Sequence, residues 1–286
     1  MMSDFPRTTV GGLSVSRLII GTNWFLGYAH STPAKSRSVE RLVTHRDSIA
    51  RIIAAFLEQG VDTIMCPHTT TCLPEAIAEA EQQVGRPLVV ISTPAFTCTR
   101  RTPVDGFDLG EVARVLDGEA AKGVRICMPH TSTTDLMVDK CTREVRQMAP
   151  VCRLIRERGM IPGLSTHIPE TVIYADETGL DVETYIQIYN AMGFLMQVEV
   201  DWVAGVIQQA RKPVMTIKPF AAGQLRPFQA LTFVWNTLRP CDMITVGTMA
   251  PEEATEVVEM SRRILEGQVA MGELQRTRSK ASLLKD

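Results

Sequence analysis

Residues 61–71, VDTIMCPHTTT, and 124–133, VRICMPHTST, share one design. A short apolar run ends in Cys or Met, then Pro, His and Thr. Each run is brief and almost continuously apolar, as a parallel strand covered on both faces is. Runs of the same kind recur on either side: SRLII (16–20) before Gly21, PLVVIST (87–93) before Pro94, MIPGLST (160–166), TYIQIY (184–189), PVMTIK (213–218) and DMITVG (242–247). Amphipathic stretches fill the gaps. Thr44 with Asp47 reads as a capping box, followed by a helical face of Ile49, Ile52, Ile53 and Phe56 and a stop at Gly60. Further helices are expected over 73–84, 109–121, 144–158, 195–210 and 227–238, and Pro251 opens a last one to about Leu265. Residues 169–175 read as a short, less regular helix, and 25–43 and 97–108 as long polar loops that cover one end.

Eight strands, each followed by a helix or helical turn, predict an α/β fold, a (β/α)8 TIM barrel, since the units are alike and no linker divides them. Residues 1–286 are expected to form a single barrel domain with a short N-terminal opening segment and a polar tail, RTRSKASLLKD (276–286). The composition suits such a core. The 286 residues are 45% hydrophobic and 22% charged, and 30 Lys and Arg against 32 Asp and Glu leave a net charge of −2. That balance excludes a broad basic surface and makes nucleic acid an unexpected partner. No run approaches a membrane span, and no signal peptide is recognisable. Seven cysteines without a Cys-x-x-Cys pair point to free thiols and a cytoplasmic location. A homodimer is the prior for the assembly.

A barrel collects its chemistry where strands end. Four of the five histidines fall there: His30 in the loop after the first strand, His68 after the second, His130 after the fourth and His167 after the fifth. Imidazole ligates metals or moves protons near neutral pH. His68, His130 and His167 are therefore candidate catalytic residues and candidate ligands of a divalent metal, with polar substrate contacts or loop hydrogen bonds as the alternatives. Lys218, ending the seventh strand, is placed to attract a carboxylate, phosphate or developing oxyanion. Asn23, Trp24, Tyr189 and Asn190 are candidate substrate contacts. Asp135 and Glu170 are loop acids near the histidines. Cys66 and Cys127 are expected to pack in the core. No GxGxxG, GxxxxGK, HExxH or GxSxG motif is present.

Several segments resemble the aldo-keto reductase superfamily: GGLSVSRLIIGTNWF (11–25), QGVDTIMCPH (59–68), GLSTHIPETV (163–172), VMTIKPFAAGQLRP (214–227) and MITVGTMAPEEATEVVE (243–259). The resemblance spans roughly residues 9–265 and implies the same barrel. It implies carbonyl reduction with NADPH through an Asp, a Tyr, a Lys and a His. The first three would fall at Met65, near Thr70 and at Pro94, so only the His is kept, as His130. Gly247 and Thr248 would be the phosphate contacts at the eighth unit, where Met249, Glu252 and Glu253 stand near the helix start and no Arg or Lys is close. Two enzyme classes follow. One is a non-redox enzyme, a lyase, isomerase or hydrolase, that acts on a small polar carbonyl or hydroxy metabolite through rim histidines, with or without a metal. The other is a divergent NAD(P)-dependent oxidoreductase. A non-catalytic small-molecule binding barrel is the third reading.

Overall fold

A computed structural model describes residues 4–30, 32–66 and 72–268. In chain order the strands are β1 (Arg7–Val10), β2 (Leu13–Ser16), β3 (Leu18–Gly21), β4 (Thr63–Cys66), β5 (Val89–Ser92), β6 (Ile126–Cys127), β7 (Val138–Asp139), β8 (Glu144–Val145), β9 (Ile161–Pro162), β10 (Leu164–Ser165), β11 (Tyr185–Ile188), β12 (Val214–Ile217) and β13 (Met243–Val246). The helices are α1 (Pro33–Val43), α2 (Arg46–Glu58), α3 (Leu73–Val84), α4 (Thr102–Asp105), α5 (Leu109–Ala121), α6 (Thr131–Thr134), α7 (Met148–Glu157), α8 (Glu170–Thr178), α9 (Val200–Gln209), α10 (Pro227–Thr237) and α11 (Pro251–Leu265).

The parallel sheet runs β10-β11-β12-β13-β3-β4-β5-β6-β9. Its two end pieces are halves of one strand joined at Gly163, so the ring closes on itself and leaves no edge. Gly163 is where β6 and β11 must both be reached. Its N–H donates to the carbonyl of Cys127, and the next residue, Leu164, donates to the carbonyl of Thr184. A Cβ at Gly163 would lie 2.8 Å from the Thr184 carbonyl oxygen and from Met128 Cε. A backbone oxygen cannot give way, so Gly163→Ala should cost about 1–3 kcal/mol. Urea denaturation of the variant checks this, and an unchanged midpoint contradicts it.

Strand alternation sorts the side chains into two cores. Inside the barrel lie Ile19, Met65, Ile91, Ile126, Met128, Ile186, Met215 and Met243, and the antiparallel hairpin β1–β2 adds Val10 and Val15 to this cluster. Residues of opposite parity, such as Leu18, Ile20, Ile64, Tyr185 and Ile244, face the helices and join Ile53, Phe56, Leu116 and Val258 in the outer core. Each fully buried Leu or Ile contributes about 1.5–3 kcal/mol, so two concentric layers account for stability without a disulfide. All seven cysteines are free thiols. Burial pushes Cys66 and Cys152 each up to about 12, and Cys127 also upward, which keeps these thiols protonated and inert.

The structure corrects five sequence expectations. Residues 25–43 are not all loop: Thr32 caps α1 by accepting the Lys35 N–H, Pro33 opens it, and Val39 and Val43 bury one face. Thr44 forms no capping box. Its hydroxyl donates to the Glu40 carbonyl and so closes α1, while α2 starts after His45. The helix expected from 144 begins at Met148, because Glu144 and Val145 pair with Asp139 and Val138 in a small ladder and Gln147 turns left-handed. The helix expected from 195 begins at Val200, because Asn190 folds residues 191–194 into a turn. Residues 169–175 extend into a regular helix, α8. The 276–286 tail lies outside the described residues. None of the described helices is long and apolar enough to cross a membrane.

Candidate active site at the barrel mouth

The C-terminal ends of β3, β6, β10 and β12 bring His30, His130, His167 and Lys218 to one mouth. Their electrostatics show that they share it. The positive charge of Lys218 disfavours protonation of His30, His130 and His167 alike. Burial is the larger cause in each case. For His167 the two together, with His130 and His30 adding to them, outweigh the opposing pull of Asp135 and bring the pKa down to about 4. The rings are thus neutral at pH 7.

Lys218 is half-buried and carries no hydrogen bond or ion pair among the described residues. Burial lowers its pKa. Its backbone is left-handed, at φ 61°, directly before Pro219, and Ala221 and Ala222 follow at 48° and 56°. Non-glycine residues in this region cost about 1–2 kcal/mol each. A packed loop holds the strain, and the strained position carries the one charged group on this strand end.

His130 caps α6. Its Nδ1 accepts the Ser132 N–H at 3.2 Å and lies 2.8 Å from the Ser132 hydroxyl. A ring nitrogen that accepts an amide proton carries none, so the neutral ring bears its proton on Nε2 and offers a donor there. His167 is placed by its backbone. Asp135 accepts the His167 N–H at 3.2 and 3.3 Å, the Thr166 hydroxyl at 2.6 Å and the Thr131 hydroxyl at 2.7 Å. This carboxylate fastens the loop after β6 to the end of β10 and leaves the His167 ring without a hydrogen-bond partner among the described residues. His30 receives the Asn23 amide on Nε2 at 2.9 Å.

His167 gives a pH signature. The fold favours the neutral ring, so the folded chain binds fewer protons than the unfolded chain between about pH 6.5 and 4. The associated stability is complete above the ordinary imidazole range and is lost as pH falls through that window. The His167→Gln variant should therefore lose less stability than the parent between pH 7 and pH 4.5. Urea midpoints measured against pH test this, and parallel curves for the two proteins contradict it.

The other candidates are held as follows. Trp24 lies against the end of β13: a Cβ on Gly247 would come within 2.4 Å of the indole, so only glycine fits beneath it. The Lys35 ammonium sits 5.8 Å from the Trp24 ring centre. Tyr189 faces the helices, where its hydroxyl donates to Thr237 at 3.0 Å. Asn190 is fully buried and spends its amide on Met192 and Phe194. The Tyr189 side chain therefore points away from the mouth. Glu170 pairs with Lys140 at 2.6 Å. Thr248 is buried with an unpartnered hydroxyl, and the Met249 N–H donates to Glu253 at 2.8 Å. His68 lies outside the described residues, as does Thr70. Among the described residues no three His, Cys, Asp or Glu side chains come together as a metal site.

Sequence reading passed over the floor of the mouth. Thr93 shares its strand face with Ile91, Thr245 with Met243, and Ser165 is opposite in parity to the outward Leu164, so all three hydroxyls face the barrel interior. Two outer grooves hold none of these groups. One of about 700 Å³ lies beside α4, α7 and the end of α8, and one of about 480 Å³ lies between α8 and α9 around Trp202. Several charged groups there are already paired, Arg146 with Asp139 and Asp181 with Arg156. Lys218 and the His167 ring, both without a partner among the described residues, lie at the mouth and not in these grooves.

No protein-family model matches the sequence, and no curated protein matches it. Solved structures do. A Pseudomonas aeruginosa protein described as an aldo-keto reductase is 19% identical, with 93% of this chain and 99% of that one aligned and a TM-score of 0.65. An aldo/keto reductase from Brucella melitensis is 12% identical over 92% of this chain and 99% of that one, at 0.56. The fold is an aldo-keto-reductase-like barrel. The orotidine 5'-monophosphate decarboxylase of Methanocaldococcus jannaschii is also similar, at 14% identity, 85% and 97% coverage and 0.51. At these identities the likeness extends to the fold, and function rests on the site.

Proposed function

We propose that the barrel mouth binds a small oxygen-rich anion, a carboxylate or phosphate monoester, against Lys218, and that His167 moves a proton on the bound molecule. Lys218 carries this reading. A half-buried ammonium with no acidic partner among the described residues is costly to the fold, and an anionic ligand offsets that cost. His130 would donate its Nε2 proton to a ligand oxygen. His167, neutral and without a hydrogen-bond partner, keeps a lone pair for a proton. A bound anion cancels the field of Lys218 and raises His167 toward the range where it works as a base. This is acid–base chemistry of the lyase, isomerase or hydrolase kind. Free buried thiols suit a reducing compartment, and we place the protein in the cytoplasm.

The barrel's likeness to aldo-keto reductases favours a second reading, hydride transfer from NAD(P)H. The eighth unit does not suit it. Trp24 covers Gly247, the Met249 N–H is taken by Glu253, and Glu252 stands beside it in the first turn of α11. A nucleotide phosphate there would meet carboxylates. Met65 and Pro94 offer neither an acid nor an amine. A metal held by His130 and His167 would have to displace the Ser132 cap or the Nε2 proton of His130.

One paired experiment separates the readings. Thermal melts with inorganic phosphate should show a rise in Tm that grows with concentration. Titration with NADPH and NADH should leave tryptophan emission unchanged, and Trp24 at the mouth is one of the three tryptophans that report it. Saturable quenching by NADPH, with no effect of phosphate, establishes the reductase reading instead.

A further inference from the structure

The hydroxyl of Thr245 is buried inside the barrel and has no hydrogen-bond partner among the described residues; the residue is 8% exposed. A buried hydroxyl left unpaired is costly, and native folds rarely keep one without a use. Its position gives the use. In the parallel register Met215 pairs with Met243 and Thr216 with Ile244, so Ile217 stands beside Thr245 and Lys218 is one residue further toward the mouth. One strand spacing and one residue rise separate them, about 5 Å and about 3 Å. Thr93 and Ser165 face the same interior, and no hydrogen bond of their hydroxyls is found among the described residues. On the adjacent strand Gly21 faces inward, and a Cβ there would lie 3.1 Å from the Thr245 methyl and 3.2 Å from the Val246 carbonyl carbon, so the two strands meet there with room for glycine alone.

We infer that the mouth has a second recognition element below Lys218, a hydroxyl-reading floor centred on Thr245 with Thr93 and Ser165. The ligand is then a hydroxylated anion, a short hydroxy acid or polyol phosphate, with a hydroxyl two to four carbons from its anionic group. This rests on the reading of Lys218 as the anion site and adds the chemistry of the rest of the ligand. Lys218 holds the anionic end. Thr245 exchanges a hydrogen bond with the hydroxyl at the other end, and an analogue lacking that hydroxyl leaves the threonine unpaired.

A matched pair of probes tests it: glycerol 3-phosphate and n-propyl phosphate, titrated by calorimetry into the full chain. The parent should bind the hydroxylated probe about tenfold more tightly. The Thr245→Val variant keeps the shape and removes the hydroxyl. It should bind both probes equally, at the parent's affinity for propyl phosphate, and its Tm without ligand should match or exceed the parent's. Equal affinities in the parent, or a preference that survives in Thr245→Val, overturn the inference. A lowered Tm in that variant also overturns it, since the hydroxyl then has a structural partner. If neither probe nor inorganic phosphate binds, the anion site itself fails and the floor falls with it. Binding of both probes without a preference leaves the anion site standing and removes only the floor.

Discussion

Replacing Lys218 with methionine should weaken binding of phosphate or a small carboxylate by about 10- to 100-fold, the equivalent of losing a charge-assisted hydrogen bond of about 1.5–3 kcal/mol. The same variant should be as stable as the parent or more so. Both effects have one origin. Burial lowers the pKa of Lys218, so the fold bears a cost for holding it charged, and no described residue shares that cost. Methionine keeps most of the length and removes the charge. The three histidines report the change independently: with the Lys218 field gone, each should titrate at a higher pH than in the parent. A clear fall in Tm for Lys218→Met, with histidine titrations unmoved, contradicts the account, because Lys218 would then be a structural ion-pair member.

The largest loss of stability is expected at the opposite end of the barrel. Asp242 is fully buried just before β13. Its carboxylate accepts the Val214 N–H at 2.9 Å and the Arg239 N–H at 3.0 Å, and it receives Arg239 Nε at 2.9 Å and Nη2 at 2.7 Å. Arg17, at the start of β3, donates to the carbonyls of Asp242 and Arg239. The carboxylate thus joins the seventh and eighth strands of the ring, and Arg17 ties the first to the same corner through backbone carbonyls. Asp242→Ala leaves Arg239 without its counter-ion and the Val214 N–H without an acceptor. A loss of about 3–5 kcal/mol is expected. Asp242→Asn, which keeps some acceptors and loses the charge, should fall between. Denaturant unfolding of the two variants measures this, and a loss under about 1 kcal/mol for alanine contradicts it.

The eight strands were legible because each is a short apolar run closed by Pro, Gly or a polar residue. Parity was not. TYIQIY carries one polar residue and two apolar or aromatic ones on each face, so nothing in it tells that Tyr185 and Tyr189 face the helices while Ile186 faces the barrel interior. Only ring closure settles that, and it also turns Tyr189 away from the mouth. Helix α1 escaped notice because its clear apolar residues, Val39, Leu42 and Val43, are confined to its second half among charged neighbours, although Thr32 and Pro33 mark its start. At the site, residue type and position after a strand were enough to single out His130, His167 and Lys218. The hydroxyls of Thr93, Ser165 and Thr245 were not, because a threonine in a strand ordinarily marks β-propensity and not a ligand contact. The tautomer of His130 depends on a loop amide, Ser132, whose placement no spacing rule gives.

The central claim is that an anion binds between Lys218 and the neutral histidines. Side-chain ¹H–¹⁵N NMR of histidine during titration with inorganic phosphate tests it most directly. Saturable shifts at His130 and His167 in the parent, absent in Lys218→Met, are the result expected here. Phosphate that shifts neither ring, or shifts both equally in Lys218→Met, contradicts it.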